Sequence, residues 1–257
     1  SSDNTITNNY FYHSGDETTA SAFNGQAISV DVAGGTETIS GNTIYHTGSH
    51  GIYVPADTNS GDVINIHDNT ISYTGQAGIS MWKSRGADGT GGTINVYNNT
   101  ISYADRLAGT VAGAGNAACG IHLNDSGTPD GAHPFVHCNV YDNTVHNCQA
   151  LSSPYNEDSG GIALDYNVEN ANVYRNISYN NYGKGMYIYG GNNNNVYYNI
   201  FYGNDVGITV SAPDGETADG NTIYNNVFHV AAFAVEPLGF DAEIWFGLRG
   251  DNNLFEN

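Results

Sequence analysis

The stretch from Val63 to Trp82, VINIHDNTISYTGQAGISMW, carries the pattern on which the fold turns: an aliphatic residue, two variable positions, an asparagine, a spacer and another apolar residue. The same register recurs in full at Ile39/Asn42/Ile44, Ile66/Asn69/Ile71, Val96/Asn99/Ile101, Val140/Asn143/Val145, Val196/Asn199/Phe201 and Ile223/Asn226/Phe228. It recurs in part at Asn4/Ile6, Val173/Asn176 and Asn253/Phe255. These nine asparagines stand 38, 27, 30, 44, 33, 23, 27 and 27 residues apart. A period in this range, stretched by occasional insertions, marks a solenoid.

Each unit holds short alternating apolar runs bounded by Gly, Asn and Asp, which read as strands and turns, and no segment sustains a helical period. A further strand opens on glycine: GIYV at Gly51, GISMW at Gly78, GIHLN at Gly120, GIALD at Gly161, GMYIY at Gly185 and GITVS at Gly207. These features predict an all-β chain, a single-stranded right-handed parallel β-helix of about nine coils forming one domain over residues 1–257. Coils stack about 4.8 Å apart. An asparagine at an equivalent bend of each coil can therefore pass amide hydrogen bonds along the stack and satisfy turn backbone. Asparagine also tolerates the left-handed conformation that bends require.

The repeat pattern resembles the pectin lyase-like superfamily of right-handed β-helices, in its broad parallel β-helix repeat branch, and the resemblance covers nearly the whole chain. It implies the fold, and with it a secreted or cell-surface protein acting on polysaccharide. The sharper signatures are missing: there is no Arg-x-Pro-x-x-Arg run of pectate lyases, no Asn-Thr-Asp or Gly-His-Gly block of polygalacturonases, and no Asp-Pro-His block of alginate epimerases. Function has to be read from the side chains this fold displays.

A formal charge of −20, from 26 acidic and 6 basic residues, speaks against a nucleic-acid partner, because phosphate binding needs basic surface. No apolar run reaches membrane-spanning length, so no membrane insertion is expected. The opening SSDNTITNNY lacks signal-peptide character and places Asn4 in ladder phase, so end caps are expected to be missing or supplied by neighbouring sequence. The acidity either serves solubility or supplies Ca²⁺ sites in the turns PADTNSGD (55–62) and SAPDGETADG (211–220), neither of which has EF-hand spacing. Of three cysteines, Cys138 takes an inward phase, and a Cys119–Cys148 bridge is conceivable.

Side chains alternate across a strand. Aligning the Gly-led strands therefore yields two outward columns: Tyr53, Ser80, His122, Ala163, Tyr187, Thr209, and Pro55, Trp82, Asn124, Asp165, Tyr189, Ser211, with Glu236 further along. The longest insertions adjoin these coils, and long loops beside a flat sheet make a groove. Tyr53, Trp82, Tyr187 and Tyr189 are candidates to stack on sugar rings, beside Asn124 and Glu236, or else simply to pair across strands. Asp165, with Asp125 as partner, is a candidate acid/base pair, though Asp125 also suits a turn cap. His122 is a candidate general base or an exposed strand histidine. Lys83 and Arg85, in MWKSRGADG, are candidates for proton abstraction and for holding a substrate carboxylate, or are solvated turn charges. Lys184 and Arg106 are lesser candidates.

Three functions remain open. The chain is a polysaccharide-cleaving enzyme, either a lyase or a glycoside hydrolase; a non-catalytic carbohydrate-binding or adhesion module; or an ice-binding solenoid. The last rests on a partial hydroxyl ladder in TIT (5–7), TIS (70–72) and TIS (100–102).

Overall fold

The computed structural model describes residues 3–15, 25–30, 34–54, 61–82, 92–107, 119–124, 137–149, 160–166, 168–212, 217–229, 242–246 and 254–256. Among these, every element is a β-strand and all pairing is parallel. Three sheets run the length of the molecule, with nine, eight and eight strands. The chain visits them in rotation, so a coil comprises, for example, Val63–His67, Thr70–Thr74 and Ile79–Trp82, and each strand pairs with its counterpart one coil on. This is the right-handed parallel β-helix expected from the repeat.

The interior is built of aliphatic stacks. Ile39, Ile66, Val96, Val140, Val173, Val196 and Ile223 succeed one another in the first sheet. Ile44, Ile71, Ile101 and Val145 do so in the second. Ile52, Ile79, Ile121, Ile162, Met186 and Ile208 do so in the third. They form one continuous core with Cys138, which points inward as expected. The partial fit at Asn176 has a cause: Ser178 replaces the aliphatic residue after it, and its hydroxyl donates to the carbonyl of Gly185 at 2.7 Å.

The asparagine ladder lies at the bend between the first and second sheets. Asn42, Asn69, Asn99, Asn143, Asn176, Asn199 and Asn226 are all buried. From Asn42 to Asn199, each carboxamide donates to the oxygen of the next at 3.0 Å, and the next oxygen also accepts the backbone N–H of the asparagine before it. The first rung differs from expectation. Asn4 lies in the strand Asn4–Thr7 and donates to Glu37, whereas Asn9, three residues after Ile6, donates to Asn42. The bend's left-handed residue also differs: it is the residue before the ladder asparagine, as at Asp68, Asn98, Asp142 and Arg175.

A bend into the third sheet requires glycine for close approach. A Cβ on Gly161 would stand 2.0 Å from Ser178 Oγ and 2.5 Å from the carbonyl of Gly185, and one on Gly120 would stand 2.2 Å from Val145. Outside the first sheet, Tyr97, Tyr141, Tyr174, Tyr197 and Tyr224 stack face to face at 4.9–5.1 Å. The hydroxyl ladder proposed for ice does not form as drawn. Thr5 belongs to the first sheet, whereas Thr43, Thr70, Thr100 and Thr144 align in the second, and Ile177, Ile200 and Val227 then replace them.

Candidate functional site

Alternation decides which residues of the third sheet leave the coil. In Cys119–Asn124, Ile121 and Leu123 enter the core, so His122 and Asn124 point outward. In Gly160–Asp165, Ile162 and Leu164 enter the core and Asp165 points outward. The strand pairing reproduces both columns. Tyr53, Ser80, His122, Ala163, Tyr187 and Thr209 are in register, as are Trp82, Asn124, Asp165, Tyr189 and Ser211.

Asp165 is diagonal to His122 on the neighbouring strand, within reach of a side-chain pair. Its Oδ2 accepts from His122 Nε2 at 2.9 Å and from Asn124 Nδ2 at 2.8 Å. That contact places the imidazole proton on Nε2 and leaves the Nδ1 lone pair unused. Nδ1 is buried and has no hydrogen-bond partner among the described residues. The ring of Trp82 meets His122 edge-on, with centroids 6.1 Å apart. Ser80 Oγ and Trp82 Nε1 are likewise buried without partners among the described residues.

The face is not the open groove that its outward direction suggests. His122 is 1% exposed, Asn124 3% and Asp165 6%. The alternative of an exposed strand histidine is thereby excluded. Burial of an outward-pointing side chain depends on chain remote in sequence, which alternation within one strand does not report.

The aromatic candidates are already engaged. Tyr53 stacks on His50 at 5.1 Å, Tyr187 lies under the Lys184 ammonium at 5.2 Å, and Tyr189 meets Tyr166 edge-on. Arg106 is on another face, against His46 and Tyr73. Lys83, Arg85, Asp125, Glu236 and Pro55 lie outside the described residues, as do most of the residues in the two Asp-rich turns. Asp62, from the first of those turns, accepts from the backbone N–H of Gly35 at 2.9 Å.

The conceivable Cys119–Cys148 bridge is absent: all three cysteines are buried free thiols. Burial raises the pKa of each, and the nearby Asp105 carboxylate adds to this at Cys119 and Cys148. They are held as thiols.

His50 was not among the sequence candidates. It immediately precedes Gly51, outside the alternating strand, and the aromatic Tyr53 three residues on was the available signal. It is 3% exposed, one ring nitrogen donates to the carbonyl of Ala77, and Nδ1 has no partner among the described residues. Burial, aided by the nearby His122, lowers its pKa from 6.5 to about 3. The folded protein therefore keeps His50 neutral where the unfolded chain takes up a proton. Stability from this group is full above pH 6.5 and declines as pH falls toward 3. The expected slope is at most about 1.4 kcal/mol per pH unit. Urea melts of His50→Phe at pH 7 and pH 4.5 should show a smaller acid loss than wild type; an equal loss counts against the assignment.

A family profile described as periplasmic copper-binding protein (NosD) matches residues 65–237 of the chain, spanning the strands that carry Trp82, His122 and Asp165. No curated protein and no solved structure matches. With the match extending over most of the coils, this β-helix belongs to the NosD family.

Proposed function

We propose that this protein acts outside the cytoplasm, secreted or at the cell surface, where it binds a polysaccharide along the third sheet and cleaves it by β-elimination. The observation that carries the reading is the His122–Asp165 contact with His122 Nδ1 left free, a base held in one tautomer by a carboxylate. An extracytoplasmic setting agrees with the family's periplasmic description.

His122 Nδ1 takes the proton from C5 of a uronic acid residue, the C4–O bond breaks, and a C4–C5 double bond forms. The imidazolium then returns its proton to the leaving oxygen. Asp165 acts through His122 as a positioning residue. In this reading the Trp82 N–H, without a partner among the described residues, donates to the substrate carboxylate and lowers the cost of charge at C5, while Asn124 holds Asp165. Hydrolysis has less support, since it calls for two carboxyl groups flanking the bond. Among the described residues on these two columns, the carboxylate is Asp165, already committed to two donors. The charge of −20 opposes a polyanion, and Lys83 and Arg85, directly after Trp82 in sequence, are candidates to offset it locally.

Copper enters through the family's description. The described residues do not fit it: no three of His, Cys, Asp and Glu among them converge on a common point, and the thiols are buried and protonated.

The test is incubation with neutral and uronic polysaccharides, reading ultraviolet absorbance of unsaturated ends and release of reducing ends. Unsaturated ends from a polyuronate are expected. Reducing ends alone would replace elimination by hydrolysis, and binding without either product would make the protein a non-catalytic module.

A further inference from the structure

We infer that His50 and Ser80 form a recognition site for a free hydroxyl group of the bound sugar, so that the protein selects glycans whose hydroxyls are not acylated. This rests on the polysaccharide reading above.

Four buried polar atoms without partners among the described residues gather on one face of the third sheet: His50 Nδ1, Ser80 Oγ, His122 Nδ1 and Trp82 Nε1. Ser80 lies in register between Tyr53 and His122, and His50 stacks on Tyr53 with the rings 13° from parallel. Trp82 is two residues beyond Ser80, on the same side of its strand. A buried polar atom left unpaired is costly, and native interiors hold few. Four on three neighbouring coils point to a ligand that completes them.

The chemistry of the atoms defines what the ligand carries. His50 has its proton on the nitrogen bound to Ala77, so its Nδ1 only accepts. It remains neutral through the physiological range and cannot become a donor. An acceptor of this kind needs an O–H or N–H facing it. The Ser80 hydroxyl, in register with Tyr53 on which His50 stacks, can accept or donate. A sugar hydroxyl supplies the hydrogen for His50 and an oxygen for Ser80, whereas an acetyl ester at that oxygen has no hydrogen to give and adds bulk. Sites built to hydrogen-bond a hydroxyl reject analogues lacking it far more strongly than apolar pockets reject a methyl.

The probes are polygalacturonate and alginate, each before and after chemical O-acetylation, with binding read by affinity electrophoresis and turnover by absorbance. The full chain is expected to prefer the unacetylated polymer by at least ~100-fold. His50→Phe keeps the ring stacked on Tyr53 and should bind the unacetylated polymer about tenfold more weakly, with the preference largely gone. Ser80→Ala should weaken binding about tenfold while raising the melting temperature of the free protein, because it deletes an unpaired buried hydroxyl. If both variants keep the wild-type preference, or if Ser80→Ala lowers the melting temperature and leaves binding intact, the inference is wrong and the atoms serve structure. The two readings fail separately. Selective binding without unsaturated product removes the elimination chemistry and leaves the recognition site. Equal turnover of acetylated and free polymer removes the recognition site and leaves the chemistry. Copper taken up at the two imidazoles, seen as a shift of their proton resonances on adding Cu(I), also overturns it.

Discussion

Asn99→Ala is expected to lower the unfolding free energy by about 3–5 kcal/mol, because it strands several buried groups at once. The Asn99 amide donates to the Ile66 carbonyl at 2.9 Å and to Asn143 Oδ1 at 3.0 Å. Its oxygen accepts the backbone N–H and the side chain of Asn69. Alanine removes all of these bonds and leaves both neighbouring rungs with unmet donors or acceptors inside the coil. The penalty is a large part of the 5–15 kcal/mol that typically holds a domain. Thr70→Ala, at an exposed position of the second sheet, serves as the comparison and should stay within about 0.5 kcal/mol of wild type. Urea denaturation of the two variants decides the point: similar midpoints mean that the carboxamides are ornaments on a fold held by its aliphatic stacks.

His122→Ala should reduce the rate of unsaturated-end formation by roughly 10²–10⁴, the usual range for loss of a positioned general base. Asp165→Asn should lower the rate by up to about 10⁴ while still binding polymer, since an amide can offer its NH₂ to the imidazole and drive the proton onto Nδ1, where the lone pair is needed. The second variant separates an acid/base role for Asp165 from a positioning role. With His122 as base, Asp165→Asn keeps a measurable rate; with Asp165 as base, none remains. Product formation by His122→Ala within about threefold of wild type would remove the histidine from the mechanism altogether.

The cross-section of the molecule was written plainly in the sequence, because a carboxamide ladder demands asparagine and nothing else completes it. Val140/Asn143/Val145 could be placed from pattern alone, and so could the outward register of His122 against Ser80. Asn9 is the first rung, although it is Asn4-Thr5 that shares the Asn-Thr pair of Asn42, Asn69, Asn99 and Asn143. The deciding relation is the aliphatic residue three positions earlier, here Ile6. The left-handed bend residue could not be read, since Asp, Asn, Arg and Tyr all occupy it and no residue type marks the place.

The site was legible as a set of neighbours and illegible as an environment. Register brought Trp82, Asn124, Asp165 and Tyr189 into line. That Asp165 orients His122, that the face is withdrawn from water, and that Cys119 and Cys148 remain thiols all depend on distances between separate coils. Composition holds no record of those distances. His50 shows the limit best, for its perturbed titration comes from burial beside another histidine more than seventy residues later in the chain.

Successive ladder asparagines are separated by 27, 30, 44, 33, 23 and 27 residues, yet each step climbs by the same single turn. Height and contour length are thus uncoupled. Ancestral duplications can add whole turns without recutting those above and below, and excursions can lengthen on one flank while the shaft keeps its calibre. A lineage built this way can renovate what it grips and inherit its scaffold unchanged.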